Sequence, residues 1–314
     1  MPAKLLLISS RPEDRVVWQA VANVNHLELK VVGALDAVIR TVESERQLMV
    51  IWDCDQRESV VPVGEALMRF VNPLRVFAVT DGPLNSYKDL FRVPAFAHHL
   101  VRRYDSPGPI MFSKLVLASS IPYPFGIERY LPAGTSVQRV TLKRSSHKAA
   151  AINAVQNVLE RQKVTPRLAN MASQAVDELI MNAIFDAPVD ANGNAHKRNI
   201  PRDADFALQP NEEVILSLAD AREYLAVQIA DPYGSLDKNT VLRFLRQDFQ
   251  NVPYVPRTTD KGAGLGLHGI IQSGLSLLFV VRPGVRTEVS LFFKKAETFK
   301  EFRESFRFVS IMSP

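Results

Sequence analysis

Two residues spaced four apart are the first sign of chemistry in this chain. Glu178 and Asn182 lie in a stretch, residues 168–183, whose apolar positions recur at helical spacing. Their side chains therefore stack one above the other on one helix face. A carboxylate and an amide so placed can address one water and one metal ion together, although most pairs at this spacing are simply solvated. Further along, residues 227–231 read as a strand that stops at Asp231 and turns through Pro232, Tyr233 and Gly234. A carboxylate fixed at a strand end can accept a hydrogen bond from the amino group of a purine. Next comes the run Gly262-Ala263-Gly264-Leu265-Gly266-Leu267-His268-Gly269, ahead of an apolar helical stretch. Glycines let a backbone approach a phosphate closely, and a helix starting there offers free N–H groups to it. Finally, residues 286–293 alternate as a strand with Thr287 near its start.

These groups need a framework, and the chain divides into two halves that could supply one. Residues 1–120 alternate between short apolar strands and helical patterns. The strands are Leu5-Leu6-Leu7-Ile8, residues 27–32, residues 48–52 ending in Asp53, Val76-Phe77-Ala78-Val79 ending in Thr80, and a weak fifth at residues 98–101. Five strands with helices between them predict a doubly wound parallel sheet, a (βα)5 domain whose functional groups gather at the carboxyl ends of its strands. Residues 121–135 are rich in Pro and Gly and break both periodicities, which marks a linker. Residues 136–295 form the second domain: a strand at 137–142, a helix over 145–162, and a longer helix after Thr165-Pro166, where a cap precedes Pro at the first helical position. In residues 296–314, Phe299, Phe302 and Phe306 at helical spacing predict a C-terminal helix. That helix would pack on its own sheet or form a dimer or interdomain seam.

The four motifs of the second half, taken in order, resemble those of the GHKL or Bergerat-fold ATPases, the group of the sensor histidine kinases, DNA gyrase and the anti-sigma serine kinases. The resemblance covers residues 137–295 and implies an α/β two-layer sandwich that binds ATP with Mg²⁺. Carried over residue by residue, it implies Glu178 as the catalytic carboxylate that orders or deprotonates the attacking group, and Asn182 as the Mg²⁺ ligand. Asp231, with Gly234 behind it, would read adenine. Lys261, Gly262, Gly264, Leu265 and Gly266 would cover the phosphates, and Thr287 would hold the water network on the adenine side. The sequence departs from the family at its Asp-x-Gly-x-Gly motif, where Tyr233 replaces the first glycine and Gly234 is shifted by one. That puts the tightness of the adenine pocket in question.

The first half is similar to the receiver domains of response regulators, with Asp53 where the phospho-accepting aspartate ends the third strand and Thr80 ending the fourth. It departs where the family holds Mg²⁺ and its lysine: Ser9-Ser10-Arg11 follows the first strand, with Glu13 and Asp14 displaced, and Arg102-Arg103-Tyr104-Asp105 follows the fifth. It reads as a degenerate receiver, a docking or dimerisation platform, with Asp53 either a phospho-acceptor or incidental.

Within the GHKL group, the order of one strand, one helix and then the Glu178 helix is most like the anti-sigma serine-kinase branch. His147 lies too close to Glu178 for a phospho-acceptor hairpin, and about twenty residues after Phe293 leave no room for a gyrase-type transducer. The expectation is a bacterial signal-transduction protein that binds ATP and Mg²⁺, acts as a slow ATPase or protein serine kinase on an unidentified signalling partner, and is gated or docked through its first domain. The alternative is a non-catalytic scaffold or pseudokinase-type switch.

Composition is consistent with this. Of 314 residues, 46% are hydrophobic and 23% charged, which excludes a disordered chain. The net charge of +5 is scattered without a basic block, so no nucleic-acid partner is expected. A single cysteine, Cys54, excludes an internal disulfide and reads as a small buried residue. No apolar run reaches the roughly 20 residues of a membrane span, and the N-terminus does not read as a signal peptide, so a cytoplasmic protein is expected. His196 and His268 lack companions at zinc-ligand spacing. The polar connection over residues 187–208 is long enough to be a lid, a partner loop or a disordered insertion. Arg202, Arg257 and Lys261 are candidate phosphate contacts.

Overall fold

The structure is a computed structural model that describes residues 4–45, 48–87, 89–90, 93, 96–190, 195–236, 238–247 and 263–313. It divides into two compact units, Met1–Pro124 with Phe306–Met312, and Phe125–Ser305 with the last two residues. The chain therefore crosses from one unit to the other more than once.

In the first unit the strands are β1 (Lys4–Ile8), β2 (Glu28–Val32), β3 (Leu48–Asp53), β4 (Val76–Thr80) and β5 (His98–Val101). They run parallel in the order β2-β1-β3-β4-β5. The helices are α1 (Pro12–Val24), α2 (Leu35–Ser44), α3 (Arg57–Phe70) and α4 (Gly108–Ala118), with α1 packed on α4 and α2 on α3. Strands β3 and β4 are buried along their whole length, as continuous Val, Ile, Phe and Trp runs require when helices cover both faces. The expected alternation of strands and helices is interrupted once. Among the described residues between β4 and β5, a 3₁₀ turn, Leu84–Ser86, stands where an α-helix would.

The second unit comprises β6 (Val137–Leu142), α5 (His147–Arg161), α6 (Pro166–Met181), β7 (Val214–Asp220), β8 (Tyr224–Asp231), α7 (Lys238–Gln247), α8 (Ala263–Gln272), β9 (Ser276–Arg282), β10 (Arg286–Lys294) and α9 (Phe299–Glu304). Its sheet is antiparallel throughout, in the order β9-β10-β8-β7-β6. Thr165 caps α6 by accepting a hydrogen bond from the Leu168 N–H, with Pro166 at the first helical position.

The period of two assigns the faces of this sheet. Glu288, Ser290 and Phe292 of β10 lie opposite Ala230, Gln228 and Ala226 of β8. Their face is met by the segment expected to be a linker: Gly126 N–H donates to Glu288 at 2.7 Å, the Tyr224 hydroxyl donates to the Tyr130 carbonyl, and Tyr130 meets Phe292 edge-on. Residues 125–131 are thus part of the second unit, with Ile127, Tyr130 and Leu131 buried. The opposite face, which carries Asp231 and Thr287, is left to the helices.

Two expectations are corrected here. Residues 296–314 do not form one helix. Helix α9 spans six residues, closed by a capping box between Thr298 and Glu301, and the chain then extends into β11 (Phe308–Met312), antiparallel to β5 in the first unit. The phenylalanine spacing fits a helix only as far as Phe306. Beyond it, Val309 and Ile311 alternate with Phe308 and Ser310, and β-branched residues at that period favour a strand. Nor does the described part of the glycine run precede the helix as a loop. Gly264, Leu265 and Gly266 lie inside the first turns of α8. Each helical glycine costs about 1 kcal/mol relative to alanine, a cost that buried packing of Leu267 and Ile270 can offset.

Candidate functional site

Helix α6 is the centre of the second unit. It packs against α5, α8 and β8, and its C-terminal extension, a π-helical turn over Asn182–Asp186, packs on β8 as well. β8 in turn pairs with β10, where Asp231 and Thr287 are direct partners. The elements that carry Glu178, Asn182, Asp231, Thr287 and the Gly264–Gly266 turns are therefore linked by pairwise contacts, with α6 touching α8 and β8, and β8 touching β10. Lys261, Gly262 and Arg257 lie outside the described residues.

Asp231 is the most strongly perturbed acid of the group. Its side chain is buried at the end of β8, and burial pushes its carboxyl up to about 7. The N–H of Tyr233, at 3.0 Å, and the N–H of Gly234 donate to it, and the Thr287 hydroxyl beside it also favours the charged form. Those donors offset burial only in part. The turn needs a glycine at 234, where φ is +63° and an added Cβ would lie 2.0 Å from the carbonyl oxygen of Arg282. The one-residue shift noted in the sequence thus still delivers a tight turn, with the carboxylate held by two backbone N–H groups.

One polar atom of the candidate set, Asn182 Oδ1, is buried without a hydrogen bond among the described residues. An unanswered buried acceptor or hydroxyl costs about 1–3 kcal/mol, and such groups concentrate where a ligand completes them. Glu178, one turn before Asn182, is half-buried. Burial raises its carboxyl above the ordinary glutamate value, and the charge of Arg202 partly opposes that rise. Arg202 itself comes from the long 187–208 connection. The described part of that connection is packed: Lys197 is buried and donates to Glu212 at 2.6 Å, and Ser145 ties to residues 204 and 206. Sequence reasoning named Arg202 only as one of three surface candidates. Its approach to α6 depends on a fold-back that carries no periodic signal.

The first unit has a different polar centre. At the carboxyl ends of its strands, Arg102 is buried and donates to Asp14 (2.8 Å), to Asp53 (2.8 Å), and to Asp55 and Asp81. Arg11 adds bonds to Asp53 (3.2 Å), Asp55 (3.1 Å) and Asp81 (3.0 Å). Burial alone would lower the Arg102 pKa, but the surrounding carboxylates raise it well above its ordinary value. Asp55 is held below the ordinary range: burial would raise it, yet hydrogen bonds from Tyr87 and Arg102 prevail. Asp14, set aside in the sequence as displaced, joins this cluster because helix side chains tilt toward the helix N-terminus and so back to the strand end. Thr80 donates or accepts with His99 Nε2 at 2.7 Å, and burial lowers the His99 pKa to about 3.

Cys54 is buried, with its thiol pKa raised by burial. Among the described residues no three His, Cys, Asp or Glu side chains converge as a metal site, and no helix is long and apolar enough to cross a membrane. No family model matches the chain, and no curated protein matches it.

Proposed function

We propose that the second unit is a GHKL-type nucleotide-binding domain that takes ATP with Mg²⁺, and that the protein is a signalling ATPase or serine kinase working on a protein partner. The observation that carries this reading is the convergence of Asp231, Thr287 and Asn182 on touching elements. It offers one buried carboxyl, a hydroxyl beside it and one buried amide oxygen that lacks a partner among the described residues. A purine amino group would satisfy Asp231, a water or ring nitrogen would satisfy Thr287, and a Mg²⁺ ion carried by phosphates would satisfy Asn182 Oδ1, an oxygen donor of the type Mg²⁺ prefers. ATP supplies the transferable phosphoryl group when bound. Glu178, kept partly desolvated by α6 and its neighbours, accepts the proton of a water or serine hydroxyl. The glycines at the start of α8 let the backbone come close to the phosphates.

The first unit, in this reading, is a degenerate receiver used for docking. A phosphoryl group arriving at Asp53 would have to displace guanidinium hydrogen bonds on both carboxylate oxygens.

Thermal unfolding with and without Mg-ATP tests binding, because a ligand of the native state adds RT ln(1 + [L]/Kd) to stability. A rise in Tm at millimolar ATP is expected. Release of phosphate by the parent but not by Glu178→Ala would then establish turnover. An unchanged melting curve would favour the scaffold reading.

A further inference from the structure

We infer that Arg202 is the residue that reads the terminal phosphate at this site, parked on Asp186 until the nucleotide arrives; the inference rests on the nucleotide reading above. Arg202 lies at the C-terminal end of α6, where its charge acts on the Glu178 carboxyl. Its Nη2 donates to Asp186 Oδ1 and Oδ2 at 3.3 and 3.1 Å, its Nη1 donates to the Met181 carbonyl at 3.4 Å, and its guanidinium lies 4.8 Å from the centre of the Phe185 ring. These contacts straddle Asn182 in sequence.

Three features suit it to this role. First, the guanidinium is a planar fork that matches two phosphate oxygens at once, and it cannot lose its charge. Second, its place on Asp186 can be given up. Arg198 Nε donates to the same carboxylate at 3.2 Å, so Asp186 keeps a cation when Arg202 leaves. The Arg202 side chain is also 32% exposed, whereas that of Asp186 is 10% exposed, so one partner can turn outward while the other stays fixed. Third, the segment that delivers Arg202 does not depend on it for anchorage. Lys197 to Glu212, Arg144 to Asp205 and Ser145 to Phe206 hold that segment independently. A substitution at 202 therefore removes one charge and leaves the rest of the connection in place.

The test compares ATP, ADP and adenosine, each with Mg²⁺, by calorimetric titration of the full chain. The parent is expected to bind ATP more tightly than ADP or adenosine. R202Q should weaken ATP by about ten- to a hundredfold, the worth of a hydrogen bond between charged groups, and leave adenosine unchanged. R202K, which restores the charge without the fork, should recover part of the preference for ATP. Equal losses for ATP and adenosine in R202Q would make Arg202 structural and overturn the inference. So would a full ATP preference surviving in R202Q, or R202K binding no better than R202Q. Failure of the parent to bind any of the three would overturn the nucleotide reading itself, a result distinct from all of these.

Discussion

The two units each gather acidic groups at strand ends, and they treat them in opposite ways. In the first unit four aspartates, Asp14, Asp53, Asp55 and Asp81, face two guanidiniums, and Arg102 alone touches all four. In the second unit Asp231 sits buried with only backbone and hydroxyl donors, while Asn182 Oδ1 has no partner among the described residues. The first arrangement is complete, and its interactions serve stability. The second leaves Asn182 Oδ1 unanswered, which costs stability; in the nucleotide reading proposed above, a ligand would complete it.

The largest expected effect of breaking that contrast is at Arg102. Arg102→Ala would leave buried carboxylates facing one another and should cost about 3–5 kcal/mol in urea unfolding, the usual cost of removing one partner from a buried ion network. A loss under 1 kcal/mol would show the cluster to be far more hydrated than its burial indicates.

Asp231→Asn should act in the opposite direction. A folded-state pKa of about 7 against an unfolded value near 4 means that the folded protein binds this proton more tightly. This aspartate therefore erodes stability as pH rises from about 4 through 7. The asparagine variant should be more stable than the parent above about pH 8, by an amount on the order of a few kcal/mol, and the gap should close toward pH 4. Melting curves across that range read it directly, and a constant gap would exclude Asp231 as the cause.

Gly234→Ala should cost about 1–3 kcal/mol and disturb the turn that donates to Asp231, since φ is positive there and the Cβ meets the Arg282 carbonyl. The smallest effect on stability is expected for Asn182→Ala, within about 1 kcal/mol of the parent, because the amide oxygen it removes makes no hydrogen bond among the described residues. Its Mg²⁺-dependent gain of stability with ATP should nevertheless disappear in the same melting assay.

Much of this was legible in the sequence where periodicity was strong. The continuous runs of β1, β3 and β4, the capped start of α6 and the strand end at Asp231 appear where residue pattern and cap chemistry put them. Other features were not legible, because long-range partners decide them. Residues 308–312 form a strand paired with β5, and the phenylalanines before them mimic a helix. Residues 125–131 look like a hinge by composition, yet Tyr130 and Gly126 bind Phe292 and Glu288, over 160 residues away in sequence. The Arg102 cluster was hidden for the same reason: its four aspartates come from two strand ends and a helix, and no local spacing relates them to an arginine after β5.

Equilibrium dialysis of labelled ATP in the presence of Mg²⁺, run on the parent and on Asp231→Asn side by side, tests the central claim most directly. Saturable binding by the parent, lost in the variant although the variant is the more stable protein, is the predicted result. No saturable binding by the parent at millimolar ATP, or equal binding by both, would contradict it.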